Sequence, residues 1–456
     1  MSMIKIKPAL SKGTRDFLPV EVAKRQYIFD TIKNVFRKYG FEPIETPAIE
    51  RLETLTGKYG EEGDKLLFKI LNSGDYLTDV RQLNNSNLDL KEVTPLIAEK
   101  GLRYDLTVPL ARYVVQHQDK LTFPFKRYHI GPVWRADRPQ KGRYQEFYQC
   151  DADVIGSSSV YSEAELLCIY RDAFAGLQFN NYEIRINNRK VLSGLAELLN
   201  SGELFSALVI AIDKLDKIGL EKVLEELRGR GFDEKQLEVI SAFLAVSGSN
   251  EEQFEQVEKL LASTEVGLAG LAELRELVDI CAAQNLNLVI DTTLARGLDY
   301  YTGLIVEVKP TGVAMGSIGG GGRYENLTEI FGGKNMSGVG VSFGIERIYD
   351  VMEELGLFPD TLNQSVQVLV VSLLPEVDKF AFEQTQALRQ AGVAAEFFTG
   401  NIKKQKQFNF ATDKNIPFII EITAEDKASE TLRVKNLGTK EISQVAAKEL
   451  CGFFTG

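Results

Sequence analysis

The sequence predicts an α/β protein: an α+β core, an all-helical insertion and a small α/β domain at the C-terminal end. Three observations predict it. Residues 125–156 form two apolar, aromatic-rich runs around a polar turn, the pattern of a β-hairpin. Residues 190–284 are leucine-rich, divided by Gly229, Gly231 and the Ser-Gly-Ser-Asn run at 247–250, and nearly free of strand alternation, which predicts several helices. Beyond residue 365, strand and helix patterns alternate, as in a partly parallel sheet. On this reading residues 1–189 and 286–358 are two parts of one core, 190–285 the insertion and 365–456 a further domain.

Bulk composition excludes several function classes. A chain of 456 residues has room for roughly two to four domains and a sizeable core. Its 44% hydrophobic and 26% charged residues are ordinary for a globular chain. The four cysteines, Cys150, Cys168, Cys281 and Cys451, make no C-x-x-C pair and no metal-ligand spacing. That points to a reducing compartment and away from a structural zinc site. The two histidines, His117 and His129, leave no material for a multi-histidine metal centre and almost none for a histidine-based triad. Residues 1–12 carry three lysines and a proline, and no apolar run approaches membrane-spanning length. The expectation is a cytoplasmic protein without membrane contact. The net charge of −11 argues against a bulk polyanion binder but allows a nucleic acid to dock on local basic patches.

The elements follow in order. Residues 12–19 are a turn-rich lead-in. Over 20–39, Tyr27, Ile28, Ile32, Val35, Phe36 and Tyr39 recur at three and four, so a helix buries one face, and Gly40 ends it. Residues 41–49 are extended, and Pro43 and Pro47 remove ladder donors, which suits an edge or an interface. Residues 102–109 read as a short strand feeding a helix from about Leu110. Asp105 and Thr107 share a face there, fit for a ligand ammonium or a helix cap. Residues 160–176 form an amphipathic helix, with Ser162 and Glu165 spaced for a capping box. Strands are expected at 182–187, 286–291 and 304–308.

Residues 316–322 contain neither a Walker A loop nor a dinucleotide fingerprint; their glycines let the backbone pass close to something bulky. Residues 337–347 are a glycine-rich strand running into a helix, with Arg347 in the first turns. There the helix dipole and a guanidinium can act together on an anion. The last domain reads as strands at 366–372, 394–398, 418–422 and 430–436, with helices at 376–390, near 402–413 and from 442. Lys403, Lys404, Lys406 and Lys414 make a modest basic patch or a solvated face.

The hairpin has unusual polar content. Arg135, Arg138, Lys141 and Arg143 crowd its loop, which Pro139 and Gly142 break. Gln149, Asp151 and Asp153 fall at period two on the return strand and share one face. An amide and two carboxylates beside a cationic loop suit a zwitterionic or polyphosphate ligand. The alternative is a solvated hairpin with scattered ion pairs.

Arg135-x-Asp137 followed by Arg143-x-x-x-Phe147 resembles motif 2 of the class II aminoacyl-tRNA synthetases, with Asp137 where that family usually shows glutamate. The surrounding run, residues 138–156, is similar to the histidyl-tRNA synthetases in particular. The helix and proline-bearing strand at 20–49 resemble motif 1, which builds that class's dimer interface. Gly344-Ile-Glu-Arg347 is similar to motif 3. Asp105-Leu106-Thr107 matches the family's histidine-pocket strand, and Arg296-Gly-Leu-Asp-Tyr300-Tyr301 its signature peptide. Residues 316–324 resemble its second histidine peptide, whose glycines would let the backbone approach bound substrate. The last domain resembles the family's anticodon-binding domain.

The resemblance implies a class II antiparallel sheet flanked by helices and a homodimer. It implies ATP-dependent activation of L-histidine to histidyl-adenylate, then transfer to the terminal adenosine of the histidine tRNA. Mg²⁺ would bridge the phosphates, with no protein side chain assigned as its ligand. Arg135 and Arg296 would be catalytic, holding the reacting carboxylate and α-phosphate. Asp105, Thr107 and Gln149 would meet the amino group of histidine, with Leu106 in the same histidine pocket. Asp153 and Tyr301, with Tyr300 beside them, would meet the imidazole. Asp153 stands where many relatives carry glutamate. Asp137, Arg143 and Phe147 would serve the adenosine side and Arg347 the γ-phosphate. Arg138, Gln140 and Lys141 are candidates for the tRNA acceptor end. The rival reading is a catalytically silent, histidine-binding regulatory subunit like the synthetase-like partner of ATP phosphoribosyltransferase. Retention of Arg135, Arg296, Arg347 and a full domain after residue 365 weighs against it.

Overall fold

In the computed structural model, helix α1 spans Pro19–Lys38, starting on a proline that has no N–H to leave unsatisfied. Ile28, Ile32 and Phe36, each one turn apart, are its buried stripe. Gly40, at φ +77°, closes it as expected. The structure describes residues 7–58, 60–82, 89–295, 301–326, 328–363, 366–398 and 404–455. The chain forms two units, Met1–Phe17 with Arg25–Leu357, and Leu18–Lys24 with Phe358–Gly456.

The first unit is built on one sheet. In chain order the strands are β1 (Glu42–Pro43), β2 (Ile49–Arg51), β3 (Lys69–Ile70), β4 (Lys100–Leu102), β5 (Phe125–Trp134) and β6 (Glu146–Ile155). They continue as β7 (Tyr182–Asn188), β8 (Leu288–Ile290), β9 (Tyr301–Pro310), β10 (Gly319–Tyr324) and β11 (Gly338–Gly344). Eight of them form the main sheet in the order β1-β5-β6-β11-β10-β9-β7-β8, while β2, β4 and β3 make a small separate sheet. Only the outermost pairs, β1 with β5 and β7 with β8, are parallel. Helix α2 (Thr107–His117) precedes the hairpin, and α3 (Val160–Gly176) follows it. Tyr170 of α3 donates its hydroxyl to the Ser342 carbonyl of β11 at 2.8 Å, so this helix lies directly on the sheet.

The hairpin register decides what the site contains. Phe125 pairs with Ile155 and Trp134 with Glu146, so Arg127 stands opposite Asp153, His129 opposite Asp151, and Gly131 opposite Gln149. On the other side of β6, Gly340 pairs with Asp153, Ser342 with Asp151 and Gly344 with Gln149. Alternation along three adjacent strands therefore collects these groups on one face.

Residues 189–282 are helical, as expected. Helix α4 (Arg189–Leu198) leads to five further helices, Phe205–Ile212, Leu215–Ile218, Leu220–Gly229, Glu234–Leu244 and Asn250–Leu260. Helix α5 (Glu265–Ala282) ends the stretch and packs on α3, α4 and β7. Asn250 and Gln253 bond to β8 carbonyls, at Leu288 (2.8 Å) and Ile290 (3.2 Å). The stretch is thus fastened to the sheet at several points.

Three local expectations are corrected. Residues 105–107 are not strand: β4 ends at Leu102 and α2 starts at Thr107, so Pro109 sits in the first helical turn, where a proline is tolerated. The capping box at Ser162 and Glu165 does not form. Ser159, whose backbone is extended, caps α3 by accepting from Tyr161 N, and Glu165 pairs instead with Lys126 at 2.5 Å. Residues from 442 form a strand rather than a helix.

That strand belongs to the second unit, whose sheet runs β13 (Ala395–Phe398), β12 (Val368–Ser372), β14 (Phe418–Ile422), β15 (Thr431–Asn436), β16 (Ile442–Ala446). Strand β12 is parallel to both neighbours, and β15 and β16 are antiparallel additions. Alternate residues of β12 serve two cores: Val368 and Val370 pack with Ile420 and Leu432, Leu369 and Val371 with Ile419 and Ala411. Of the expected lysine patch, Lys414 is bound to Glu396 at 2.8 Å, and Lys403 lies outside the described residues.

Candidate active site

A cavity of about 890 Å³ opens over the face that β6, β11 and β10 share. Its floor is unusually charged for a buried surface. Asp151 and Asp153 are each 2% exposed. Opposite Asp153 on β5, Arg127 is fully buried, with Nη2 2.6 Å from Asp153 Oδ2. The angles there are not those of a hydrogen bond, and Nε and Nη1 have no partner among the described residues, so charge rather than directed bonding holds the pair. On the other carboxylate oxygen, Tyr324 donates its hydroxyl at 2.7 Å.

Burial sets the protonation states. It raises the Asp153 carboxyl above the usual range, against the opposing pull of Arg127 and of the Tyr324 hydrogen bond. Asp151 is pushed up to about 7, chiefly by burial, with Arg127 opposing and Asp153 adding to the rise. Tyr324 lies well above the ordinary phenol value, again by burial first, so it stays a donor. Burial and then Arg127 and Arg103 hold His129 down at about 3, so it is neutral at any working pH.

One wall of the cavity is the entry to α2. Asp105 lines the cavity, and its Oδ1 accepts from Val108 N at 3.1 Å, so Asp105, one residue before the N-cap Leu106, rather than Thr107 satisfies an N–H of the helix's first turn. Thr107 also lines the cavity, as its first helical residue. Leu106 is fully buried and faces away from the lining, which makes it a packing residue.

Guanidinium groups make up another part of the lining. The Arg135 guanidinium lies 4.2 Å from the Tyr104 ring and 5.2 Å from the Phe147 ring, with Nε donating to Tyr104 O at 3.0 Å. Arg143 pairs with Asp137 at 2.9 Å. Arg347, the third residue of helix α6 (Ile345–Glu354), donates Nε to Gly142 O and Nη1 to Ser317 O, both at 2.8 Å. It thereby ties the hairpin loop to the segment before β10. Its neighbour Glu346 is buried, 2.7 Å from Arg25 of α1, and accepts from Tyr148 N at 3.2 Å. Three elements of the first unit thus fix the helix that carries Arg347.

Of the residues expected at a site, Asp105, Thr107, Arg135, Asp137, Gln140, Arg143, Phe147, Gln149, Asp153, Tyr301 and Arg347 line this one cavity. Arg138 and Lys141 are exposed and outside the lining, and Lys141 pairs with Glu354 at 3.1 Å. Arg296 and Tyr300 lie outside the described residues. The glycines of β10 meet mostly protein: a Cβ at Gly319 would strike Tyr170, and one at Gly321 the Gly340 carbonyl. The bulky neighbour at these two positions is protein, where bound substrate was expected.

The model of the histidyl-tRNA synthetase family matches residues 13–81 and 97–348. The chain belongs to the histidyl-tRNA synthetase family. A model described as an anticodon-binding domain matches residues 367–455. A curated histidine–tRNA ligase of Cytophaga hutchinsonii is 49% identical, over 97% of this chain and 98% of that protein. One of Porphyromonas gingivalis is 49% identical over 97% of each. The crystal structure of a histidyl-tRNA synthetase from Nostoc sp. PCC 7120 superposes with a TM-score of 0.80 at 33% identity, covering 98% of this chain and 99% of that one.

Within this synthetase fold, the structure adds cavity residues that the sequence reading did not assign. Asp151 and Tyr324 are in the lining, and Arg127, outside it, is buried against Asp153. Period-two spacing marked Asp151, and the hairpin register could have paired Arg127 with Asp153. Residues 212–217, in the helical stretch to which no chemistry was given, supply part of the rim: Asp216 binds Lys309 of β9 at 3.0 Å. Nothing local in that leucine-rich stretch signals it.

Gly340 shows how closely the floor is fitted. A Cβ there would lie 2.0 Å from Asp153 Oδ1, a contact that must displace the carboxylate. Gly340→Ala is expected to raise the KM for the amino-acid substrate by about tenfold to a hundredfold, the scale of a small misplacement at a reacting site. The KM for ATP should change less than twofold. Steady-state pyrophosphate-exchange kinetics check this, and equal rises in both constants would show general damage instead.

Proposed function

We propose that this chain is a histidine–tRNA ligase that uses the cavity to join L-histidine to ATP and then to the terminal adenosine of the histidine tRNA. The observation that carries the reading is a single cavity lined by carboxylates, an amide and tyrosines together with guanidinium groups and Phe147. A zwitterionic amino acid and a polyphosphate are the pair of ligands this combination suits. In the first step a carboxylate oxygen of histidine attacks the α-phosphorus, and pyrophosphate leaves. In the second, an adenosine hydroxyl attacks the acyl carbon, and AMP leaves. Two anions meet in the first step, so positioning and cations suffice without a general base.

Arg135 and Arg296 would hold the reacting carboxylate and α-phosphate. Arg347 would take the γ-phosphate, sharing its guanidinium with the two carbonyls it already holds. Mg²⁺ arriving with ATP would neutralise phosphate charge, and no side chain is assigned to hold it. Arg143, Asp137 and Phe147 would receive the adenosine, with Phe147 offering its ring as a stacking surface. Asp105, Thr107 and Gln149 would bind the ammonium group; Leu106 supports them by packing. Asp153, Tyr301 and Tyr300 would read the imidazole. Gln140, Arg138 and Lys141 are candidates for the acceptor end of the tRNA. The second unit would recognise the anticodon. A homodimer formed through α1 and the strand after it, in the cytoplasm, completes the proposal. Among the described residues no helix is long and apolar enough to cross a membrane.

The test is histidine-dependent exchange of pyrophosphate into ATP, followed by charging of unfractionated tRNA with each amino acid in turn. Exchange and charging with histidine alone are expected; a protein that binds histidine but never consumes ATP contradicts the reading. Within it, Asp153→Asn is expected to raise the histidine KM by about tenfold to a hundredfold, the cost of weakening a charged hydrogen bond in a buried site, with little effect on ATP. An unchanged histidine KM would remove Asp153 from the imidazole pocket.

A further inference from the structure

Gln149, Asp151 and Asp153 share the cavity floor, but only two of them have an expected task. Asp153 is already engaged on both oxygens, by Arg127 and Tyr324. Asp151 is different. It lines the cavity, is 2% exposed, and its Oδ1 has no partner among the described residues. Ser342 hydrogen-bonds its carboxylate. Beside it, the Gln149 amide donates Nε2 to Ser342 Oγ at 3.1 Å, while its Oε1 has no partner among the described residues. Two acceptor oxygens are thus left side by side, two residues apart on one strand face, inside a buried wall. Leaving such acceptors without donors is costly, which marks them as built for a donor that arrives.

The charge around Asp151 says which donor. Across the ladder on β5 stand Arg127 and His129. Asp153 is two residues on along β6, and Asp105 and Arg103 come from the approach to α2. His129 is neutral. Arg103 spends Nε on Pro132 O (2.8 Å) and Nη1 on Thr46 O (2.7 Å). Of the guanidinium groups near the floor, Arg127 is in contact with Asp153 and Arg103 is turned to carbonyls, and neither donates to Asp151 Oδ1. A buried carboxylate oxygen without a donor is best satisfied by a cationic one. A histidine zwitterion carries its full positive charge on the ammonium group, while its imidazole is mostly neutral near pH 7.

We infer that Asp151 is a further specificity residue of the amino-acid subsite: with Gln149 and Asp105 it accepts the substrate's ammonium group. This rests on the functional reading above and deepens it. The consequence is selection for a free amine. Because Asp151 titrates at about 7 in the empty site, the ammonium also draws out its proton on binding. Affinity for histidine therefore falls as pH drops below 7, in addition to any effect of the substrate's own imidazole.

Calorimetric titration of the full chain separates the possibilities with three ligands: histidine, histidinol, which keeps the amine and lacks the carboxylate, and deaminohistidine, which lacks only the amine. Asp151→Asn is expected to weaken histidine and histidinol by about tenfold or more, as for a lost charged hydrogen bond, and to leave deaminohistidine within about twofold. Proton release supplies a second measurement. At pH 7, in buffers of different ionisation enthalpy, the unaltered protein should release more protons on binding histidinol than the Asp151→Asn protein does, the imidazole contribution being common to both. Equal loss for all three ligands, or none for any, overturns the role of Asp151, as does equal proton release by the two proteins on binding histidinol. Failure of the unaltered protein to bind histidine at all is a distinct result, and it overturns the functional reading as well.

Discussion

Arg135→Ala is expected to lower the rate of histidine-dependent pyrophosphate exchange by about a thousandfold, the scale on which a guanidinium stabilises phosphoryl transfer. Arg135 lines the cavity, stacked near Tyr104 and Phe147, with one nitrogen on the Tyr104 carbonyl. That mooring fixes the direction of the group before a ligand arrives, which is what makes a cation effective when charge moves in the reaction. The side chain is only partly buried, so its removal should cost little stability. Arg135→Lys keeps the charge but not the planar fork, and should recover only part of the rate. Exchange kinetics with a thermal-unfolding control check both variants. A rate within tenfold of the unaltered protein for Arg135→Ala would place the chemistry elsewhere.

Arg127→Met should act on stability instead. Arg127 is fully buried in contact with Asp153, and Asp151 lies close by. Removing the guanidinium leaves two buried carboxylates without their counter-charge. The expected loss is about 3–5 kcal/mol, read as a shift of the urea midpoint at pH 8. The sign with pH follows from the direction of the carboxyl shifts. Both are raised in the folded state, Asp151 to about 7 from 3.8, so their ionised forms oppose folding and stability is lost as pH rises through that range. Without Arg127 this penalty grows at neutral pH and above, and it fades towards pH 4, where the carboxyls are protonated in the fold. The difference between variant and unaltered protein should therefore shrink on acidification. Asp153→Asn in the same chain should return part of the loss. A variant as stable as the parent at pH 8 would mean that water or a structural change screens the floor.

Much of this was legible in the chain because local and long-range signals agree. The hairpin declares itself by two apolar runs, and once its turn is located, alternation alone puts Gln149, Asp151 and Asp153 on one face. Helix α1 is equally plain, from Pro19 to the glycine after it. The second unit's parallel strands read as continuous apolar runs, since Leu369 and Val370 are buried on opposite faces. The failures have physical reasons. Arg127 escaped because an arginine in a strand is ordinarily taken as exposed, and full burial becomes sensible only with Asp153 opposite. Ser159 and Ser162 are both possible caps, and the extended backbone at Ser159 decides between them. Ile442–Ala446 does not alternate strictly between apolar and polar, so its pairing with β15 outweighs any pattern of its own. The rim at residues 212–217 depends on how a separate helical stretch folds back on β9, which no window of sequence contains.

The central claim is that one cavity holds the imidazole end of histidine on the β6 floor and the nucleotide against Phe147 and the arginines. A crystal structure with a non-hydrolysable histidyl-adenylate analogue tests it most directly. The account predicts the imidazole within hydrogen-bond distance of Asp153, the ammonium between Asp105 and Asp151, and the adenine beside Phe147. An analogue bound in the reverse direction, in another cavity, or not at all under conditions where free histidine binds would contradict it, the last as expected of a histidine-sensing relative without synthetase chemistry.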